Sequence, residues 1–413
     1  MGDAVEIPQP VRPEKKPRAD ADTQGHSTTQ VVAVNKVLDD DNLLREIIVR
    51  VGFPTTLVRA ALVCKRWFGH ASDPKFLSRF RKLHPPRLLG YYLTKWLQAP
   101  RFVPMLPQAP ELATVIRRAE SYSFGADSNL MIMDCRNGSI FTRPNGGSAL
   151  THVVHRPLCP ERSMDIVIPL QSVHYHNRKM FRAIISEDKG SSLSYLYLLG
   201  ESTGEAGKIM ARVYLLKDGV WRTHTSIKCH HLYRMYFGPK ALLMDNNIYV
   251  PICSGGDIIV LDLTASSSST IQVPQGVSYH YFKSMLSRAD DASSVYYIHV
   301  EEFQLRVWLL KGDNWVLVDT FCLHEMLDAL GISDHKLENE DTANVQIDHV
   351  GDNGQFVLLR MWQSIFYLDM KCRTLCKVYE NTVNGQGFGI HPFMMMWPPT
   401  FPALKDDRAR FSF

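Results

Sequence analysis

Two hydrophobic periodicities divide the chain. From Val37 to Leu83 apolar residues recur at helical spacing, and from about 120 to 400 they fall in short runs bounded by turn residues. The first stretch predicts three helices. Asp40 or Asp41 caps the first, whose stripe is Leu43, Leu44, Ile47, Ile48 and Val51, with Gly52 as its stop. Pro54 and the threonines after it open the second, which is expected to end near the basic residues Lys65 and Arg66. Asp73-Pro74 starts the third, with Phe76, Leu77, Phe80 and Leu83 as its stripe and Pro85-Pro86 as its end. From Leu57 to Cys64 only Arg59 is charged. A helix apolar on most sides must be covered on most sides, and the other two helices are short. A unit close to the ~40-residue limit for holding its own core is expected to complete it on another protein.

The later region reads as all-β. Its strands include Leu130 to Asp134, Tyr195 to Leu199, Ile248 to Ile252, Val295 to Val300 and Phe356 to Met361. Turn signals such as Asn137-Gly138, Asp218-Gly219, Gly255-Gly256 and Gly312-Asp313 separate them. A helical pattern stands out only around Leu323 to Leu330. Arg212-Val213-Tyr214-Leu215-Leu216-Lys217, followed by Trp221, aligns with Arg306-Val307-Trp308-Leu309-Leu310-Lys311, followed by Trp315. Val260 to Leu263 falls midway between them, and Phe366 to Met370 is a related strand further on. A unit of roughly 47 residues is close to the period of kelch-like and WD-type propeller blades. About five such units fit, six with the segment before them; a β-sandwich with chance internal similarity is the alternative.

Residues 1–36 are polar, proline-containing and expected to be disordered, with Lys15-Lys16-Pro17-Arg18 either a solvated basic tail or a nuclear import signal. Residues 84–119 read as a proline-rich connector, yet one apolar enough (Leu88, Leu89, Tyr91, Tyr92, Leu93, Trp96, Leu97) to lie on the next domain. Residues 120–400 form the β domain and 401–413 a C-terminal tail. Met394-Met395-Met396-Trp397 is expected to close the β domain or to contact a ligand.

Composition changes this picture little. The net charge of +4 is too mild to call for nucleic acid or a membrane surface, and no apolar run approaches a membrane-spanning length. The eight scattered cysteines fit reduced thiols in cytosol or nucleus. No strong catalytic motif emerges. His324-Glu325 begins like a zinc-protease helix, but Asp328 replaces the second histidine. Cys372 and Cys376 lack a second pair, and Gly385, Gly387 and Gly389 precede no helix. His152 with His155, His174 with His176, and His230-His231 could bring imidazoles together, and His174 and His176, on one face of a strand, could pair on a metal, though packed or surface imidazoles explain them as well. The acidic pairs Asp290-Asp291 and Glu301-Glu302 and the run 338–341 are expected to face solvent. No cofactor or metal is expected.

The helical stretch resembles a known family. Leu38, Leu43-Leu44-x-Glu46-Ile47-Ile48, Leu57-Val58-Arg59 and Val63-Cys64-Lys65-Arg66-Trp67 match the F-box motif in order and spacing. Ala71-Ser72-Asp73-Pro74-x-Phe76-Leu77 and Leu83-His84-Pro85-Pro86 resemble plant F-box proteins, grasses especially, and Asp134 to Gly138 resembles the β-propeller region that follows their F-boxes. The family's usual Leu-Pro, which helps dock the adaptor, is Leu38-Asp39 here. The resemblance implies a three-helix all-α F-box at 37–83, followed by an all-β, kelch-like or WD-like propeller of about five to six blades. It implies a non-catalytic target-recognition subunit of a Skp–cullin–F-box ubiquitin ligase, in cytoplasm or nucleus. The F-box would bind a Skp-type adaptor, and through it cullin and RING subunits; the β domain would bind a target protein. Adaptor contacts are expected among Leu38, Leu43, Leu44, Ile47, Ile48, Leu57, Val58, Ala61, Val63, Cys64 and Trp67, some of which must instead hold the helices together. The alternatives are a propeller-fold hydrolase with a helical cap and a non-degradative F-box scaffold.

Overall fold

The computed structural model describes residues 37–95, 98–125, 130–144, 151–167, 179–188, 193–205, 208–217, 220–230, 240–252, 256–289, 294–332, 345–381, 388–399 and 401. Outside them lie the expected tail 1–36, all but Phe401 of the expected tail 401–413, Trp96 and Leu97, the turns at Asp218-Gly219 and Gly255, and His174, His176 and His231. Asp290-Asp291, the acidic run 338–341, Gly385 and Gly387 lie outside them too. The chain divides into two compact units, Met1–His84 and Pro85–Phe413.

Where the periodicity predicts three helices over 37–83, the described residues from Asp41 on carry four: α1 (Asp41–Val49), α2 (Pro54–Ala61), α3 (Lys65–Ala71) and α4 (Pro74–Leu83). The expected second helix breaks after Ala61, and Cys64, extended at φ −163° and ψ 169°, begins a new one. No glycine or proline marks the break, so the apolar run reads as unbroken. The caps are local and were legible. Asp40 Oδ1 accepts the N–H groups of Asn42 and Leu43 at 2.8 and 3.1 Å, and Asp73 Oδ1 those of Lys75 and Phe76 at 2.7 and 3.1 Å. Leu44, Ile48, Val49, Leu57, Ala61, Ala71, Phe76 and Phe80 form the buried core. Arg66 ties the entry to it, donating to the carbonyls of Leu38 (2.7 Å) and Asp39 (2.6 Å) and to Asp41.

The second unit contains six antiparallel sheets among its described residues. Five are four-stranded and run in sequence order: sheet I within residues 130–167, sheet II within 179–230, sheet III within 242–272, sheet IV within 284–322 and sheet V within 346–380. The repeat found in the sequence has a direct structural counterpart. Arg212–Lys217, Val260–Asp262, Arg306–Lys311 and Phe366–Asp369 all lie on the third strand of their sheet, in sheets II, III, IV and V. The leading strand of each sheet (Leu130–Arg136, Lys179–Asp188, Leu242–Met244, Ser284–Arg288, Gln346–Val350) touches the leading strand of the next. Phe388–Met394 touches both Gln346–Val350 and Leu130–Arg136, so the contacts close into a ring.

Sheet VI makes that closure. Phe388–Met394 pairs with Leu88–Lys95, which pairs with Arg101–Pro104, in registers such as Tyr92↔His391 and Tyr92↔Phe102. Residues 84–119, expected as an irregular or extended connector lying on the next domain, are part of that domain and carry two strands and, further on, α5 (Ala113–Ser121). Their apolar residues explain it: Leu89, Tyr91, Tyr92 and Leu93 are all at most 3% exposed. The prolines sit at the edges of these elements, Pro104 ending a strand and Pro110 opening a 3-10 turn.

Strand alternation builds the core between sheets. Val295 and Tyr297 pack toward sheet III with Tyr249 and Val260, while Ile298 and Val300 pack toward sheet V with Ile347 and Val357. A strand buried on both faces is apolar at successive positions, which is why these strands read as continuous runs. Across the remaining joint, the Asn137 side chain exchanges two hydrogen bonds with the Trp397 backbone, Nδ2 donating to its carbonyl (2.6 Å) and Oδ1 accepting its N–H (2.5 Å). Asn137 (φ +48°) and Gly138 (φ +70°) turn back on themselves to present that amide.

Candidate functional site

The helical unit sorts its predicted contact residues into two groups. Leu44, Ile48, Leu57 and Ala61 are at most 3% exposed and hold the helices together. Leu43, Ile47 and Val63 are exposed to 46, 41 and 63%, and Cys64 is exposed as well. Leu38, Val58 and Trp67 are half-buried. The prediction omits Leu62, which is as exposed as Val63 because the helix break turns it outward. Aliphatic side chains left this exposed on a folded unit keep apolar surface in water that burial against another surface would remove.

A ring of charge surrounds this core. Asp41 is held below its ordinary carboxylate range by hydrogen bonds from Arg66 and His70. Glu46 is held below it by a two-pronged contact with Arg79. Such exposed pairs add little stability each and serve mainly to fix orientation.

In the β unit, titratable side chains from four sheets converge around the ring axis. Lys240, just before the leading strand of sheet III, donates to the Ile347 carbonyl (3.0 Å) and lies 4.9 Å from the Tyr281 ring. Asp348 of sheet V forms a bidentate pair with Arg360, at 3.0 and 2.7 Å, and Arg360 also donates to the Phe388 carbonyl of sheet VI. His349 faces His391 with ring centroids 6.4 Å apart, and Arg136 of sheet I bears on His349 electrostatically. Burial lowers Lys240 to about 8, His349 to about 3 and His391 to about 4. Asp348 is pushed up by burial, against the pull of Arg360. Lys240, Asp348, His349 and His391 are all half-buried. Sequence reading missed them because Arg136, Lys240, the Asp348-His349 pair and His391 are far apart in the chain and belong to or adjoin different sheets.

A second network resembles catalytic machinery but is walled in. Tyr297 O–H and the His280 N–H donate to Ser284 Oγ (3.0 and 3.2 Å), which lies 2.8 Å from His299 Nδ1, and His299 Nε2 is 3.9 Å from Glu301. Burial lowers His299 to about 4, so its imidazole is neutral and shares a hydrogen bond with the Ser284 hydroxyl. Ser284 is 0% and His299 4% exposed, so no substrate reaches them. They satisfy polar groups inside sheet IV, as Thr142, His155 and Tyr122 do beside sheet I.

The remaining candidates resolve as packing or surface. His152 packs on Phe141, and His324 pairs with Asp328 at 3.2 Å on an exposed helix face. Among the described residues no group of three or more His, Cys, Asp or Glu is placed to hold a metal, and no helix is long and apolar enough to cross a membrane. Glu301 and Glu302 are exposed.

Residues 131–401 match the family described as F-box protein AT5G49610-like, beta-propeller, and the chain belongs to that family. No curated protein matches it. Among solved structures it is similar to a protein from Lactobacillus plantarum (9% identity, TM-score 0.36, covering 70% of this chain and 82% of that one). It is also similar to the periplasmic gluconolactonase of Pseudomonas aeruginosa (12%, 0.35, 71% and 84%) and to a putative 6-phosphogluconolactonase from Bacteroides uniformis (10%, 0.32, 63% and 72%).

Proposed function

We propose that the helical unit is an F-box and that the chain is the target-recognition subunit of a Skp–cullin–F-box ubiquitin ligase of plant type. The observation that carries this reading is the exposure of Leu43, Ile47, Leu62 and Val63 on a unit whose own core is already filled. Membership in an F-box propeller family points the same way. In this reading the six sheets are six blades, closed by an N-terminal and a C-terminal strand side by side in sheet VI. The chain breaks no bond itself. It raises the effective concentration of a bound target beside the ubiquitin-conjugating enzyme and so directs the target to degradation. The seven described cysteines, all unpaired, support a place in the reducing cytosol or nucleus.

The test is capture of a purified Skp-type adaptor by the full chain. Leu62→Asp with Val63→Asp should abolish capture while circular dichroism stays unchanged; undiminished capture contradicts the reading. A non-degradative scaffold would keep capture, but its targets would not accumulate when the F-box is mutated. A propeller-fold hydrolase draws support from the charged axis. Asp348, however, is committed to Arg360 through both oxygens and so is not free to act as a base.

A further inference from the structure

The exposed aliphatics of the helical unit stand on two separate elements. Leu43 and Ile47 lie on α1, and Leu62 and Val63 lie in the break between α2 and α3. A partner that meets both needs them held at one spacing, and any ordering left to the moment of binding subtracts from affinity. Burial alone does not hold the start of α1: none of residues 37–43 is buried, and of these only Leu38 is half-buried. Arg66, three residues beyond Val63, supplies the tie. All three nitrogens of its guanidinium reach this segment: Nε donates to Asp41 Oδ1 (2.8 Å), Nη1 to the Leu38 carbonyl (2.7 Å) and Nη2 to the Asp39 carbonyl (2.6 Å). Nη2 also lies 2.7 Å from Asp41 Oδ1. His70, one turn further along α3, reaches the same carboxylate oxygen from Nε2 at 2.9 Å. Its Nδ1 accepts from Arg45 Nε (3.0 Å), so Nε2 carries the proton and donates to Asp41. Two side chains of α3 thus hold the first residue of α1, two positions before Leu43.

We propose that Arg66 is a positioning residue for adaptor binding: its guanidinium fixes residues 38–41 against the α2–α3 break, so that Leu43 and Ile47 meet the same partner surface as Leu62 and Val63. The inference rests on the F-box reading above and adds the residue that sets the geometry of its docking surface. Arg66 acts through the backbone it holds and needs no contact with the adaptor itself. The role calls for arginine, because three donors in a fixed fork serve two carbonyls and a carboxylate at once, which a lysine ammonium on a flexible stem does not reproduce.

The experiment measures the affinity of the full chain for a purified Skp-type adaptor, at a temperature where circular dichroism shows every variant folded. Arg66→Gln should weaken binding roughly tenfold, the order of cost for ordering one or two backbone positions anew. Arg66→Lys should recover only part of that loss. A double-mutant cycle separates positioning from mere support of the fold. Leu43→Ala should weaken the wild type several-fold but the Arg66→Gln chain clearly less, because Leu43 is no longer held in place there. If Arg66→Gln does not fold, Asp41→Asn takes its place: it removes the anionic partner while Asp40 keeps the helix cap, and a smaller loss is expected. A folded variant that binds as tightly as the wild type overturns the proposal, and so does full additivity with Leu43→Ala. A wild-type chain that fails to bind the adaptor is a different result: it overturns the F-box reading itself, and this inference with it.

Discussion

At the scale of single residues, Gly90 shows how little slack the closing sheet has. A Cβ there would lie 2.3 Å from the Val103 carbonyl oxygen and 2.9 Å from Pro104 Cα, so the paired strands would have to separate. Gly90→Ala should destabilise the β unit by roughly 1–3 kcal/mol, read from the denaturant midpoint. Gly69, on an exposed helix face with nothing near its Cβ direction, is the contrasting case. There Gly69→Ala should stabilise the helical unit by up to about 1 kcal/mol. The histidines predict a pH dependence. His349, His391 and His299 are lowered to about 3, 4 and 4, so they are neutral in the folded chain. The unfolded chain binds their protons once pH falls below about 6.5, and stability must therefore drop as pH falls from there toward 4. A melting temperature that declines across this window, less steeply in His299→Gln, is the expected result; a flat profile would contradict it. Local chemistry at this scale was readable from sequence: the Asp40 and Asp73 caps need only their next two or three residues. A closing role for Met394 to Trp397 was readable too, but its partner Asn137 was not, because the two ends of that clasp are joined only by the ring.

At the scale of elements, the informative departure is the helix that breaks after Ala61. An apolar run says that side chains are hidden, but not from what. In one continuous helix, Leu57 to Cys64 would need cover on nearly every side. The break instead sends Leu57 and Ala61 into the core and Leu62 and Val63 into solvent. The two groups should therefore fail differently. Leu44→Asp, at a fully buried site, should unfold the helical unit, because a carboxylate there has no partner. Leu62→Asp should leave its helical signal and thermal midpoint nearly unchanged. Among strands, the repeat gave the equivalent third strands correctly, since Arg212–Lys217 and Arg306–Lys311 carry the same residue pattern at the same place in their sheets. The strands at 88–104 were hidden by prolines that bound them and by a partner almost 300 residues away.

At the scale of the β unit, both ends of its chain lie in one sheet. Leu88–Lys95 is the shared partner of Phe388–Met394 and Arg101–Pro104. Removing residues 381–413 would leave Leu88–Lys95 short of a neighbour and break the ring contact between sheets I and V. Exposed edges and apolar faces should then aggregate, and the truncated chain should lose its cooperative melt. The ring itself needed this long-range pairing and could not be read from any single repeat. The charged axis was hidden for the same reason, since Arg136, Lys240, His349 and His391 meet only once the ring is closed.

The most direct test of the central claim is calorimetry of the full chain with a purified Skp-type adaptor, comparing the wild type with Leu62→Asp/Val63→Asp. Saturable one-to-one binding by the wild type, lost in the equally well-folded double variant, is the predicted result. A folded wild-type chain that gives no heat with the adaptor, or a double variant that binds as tightly, would contradict it.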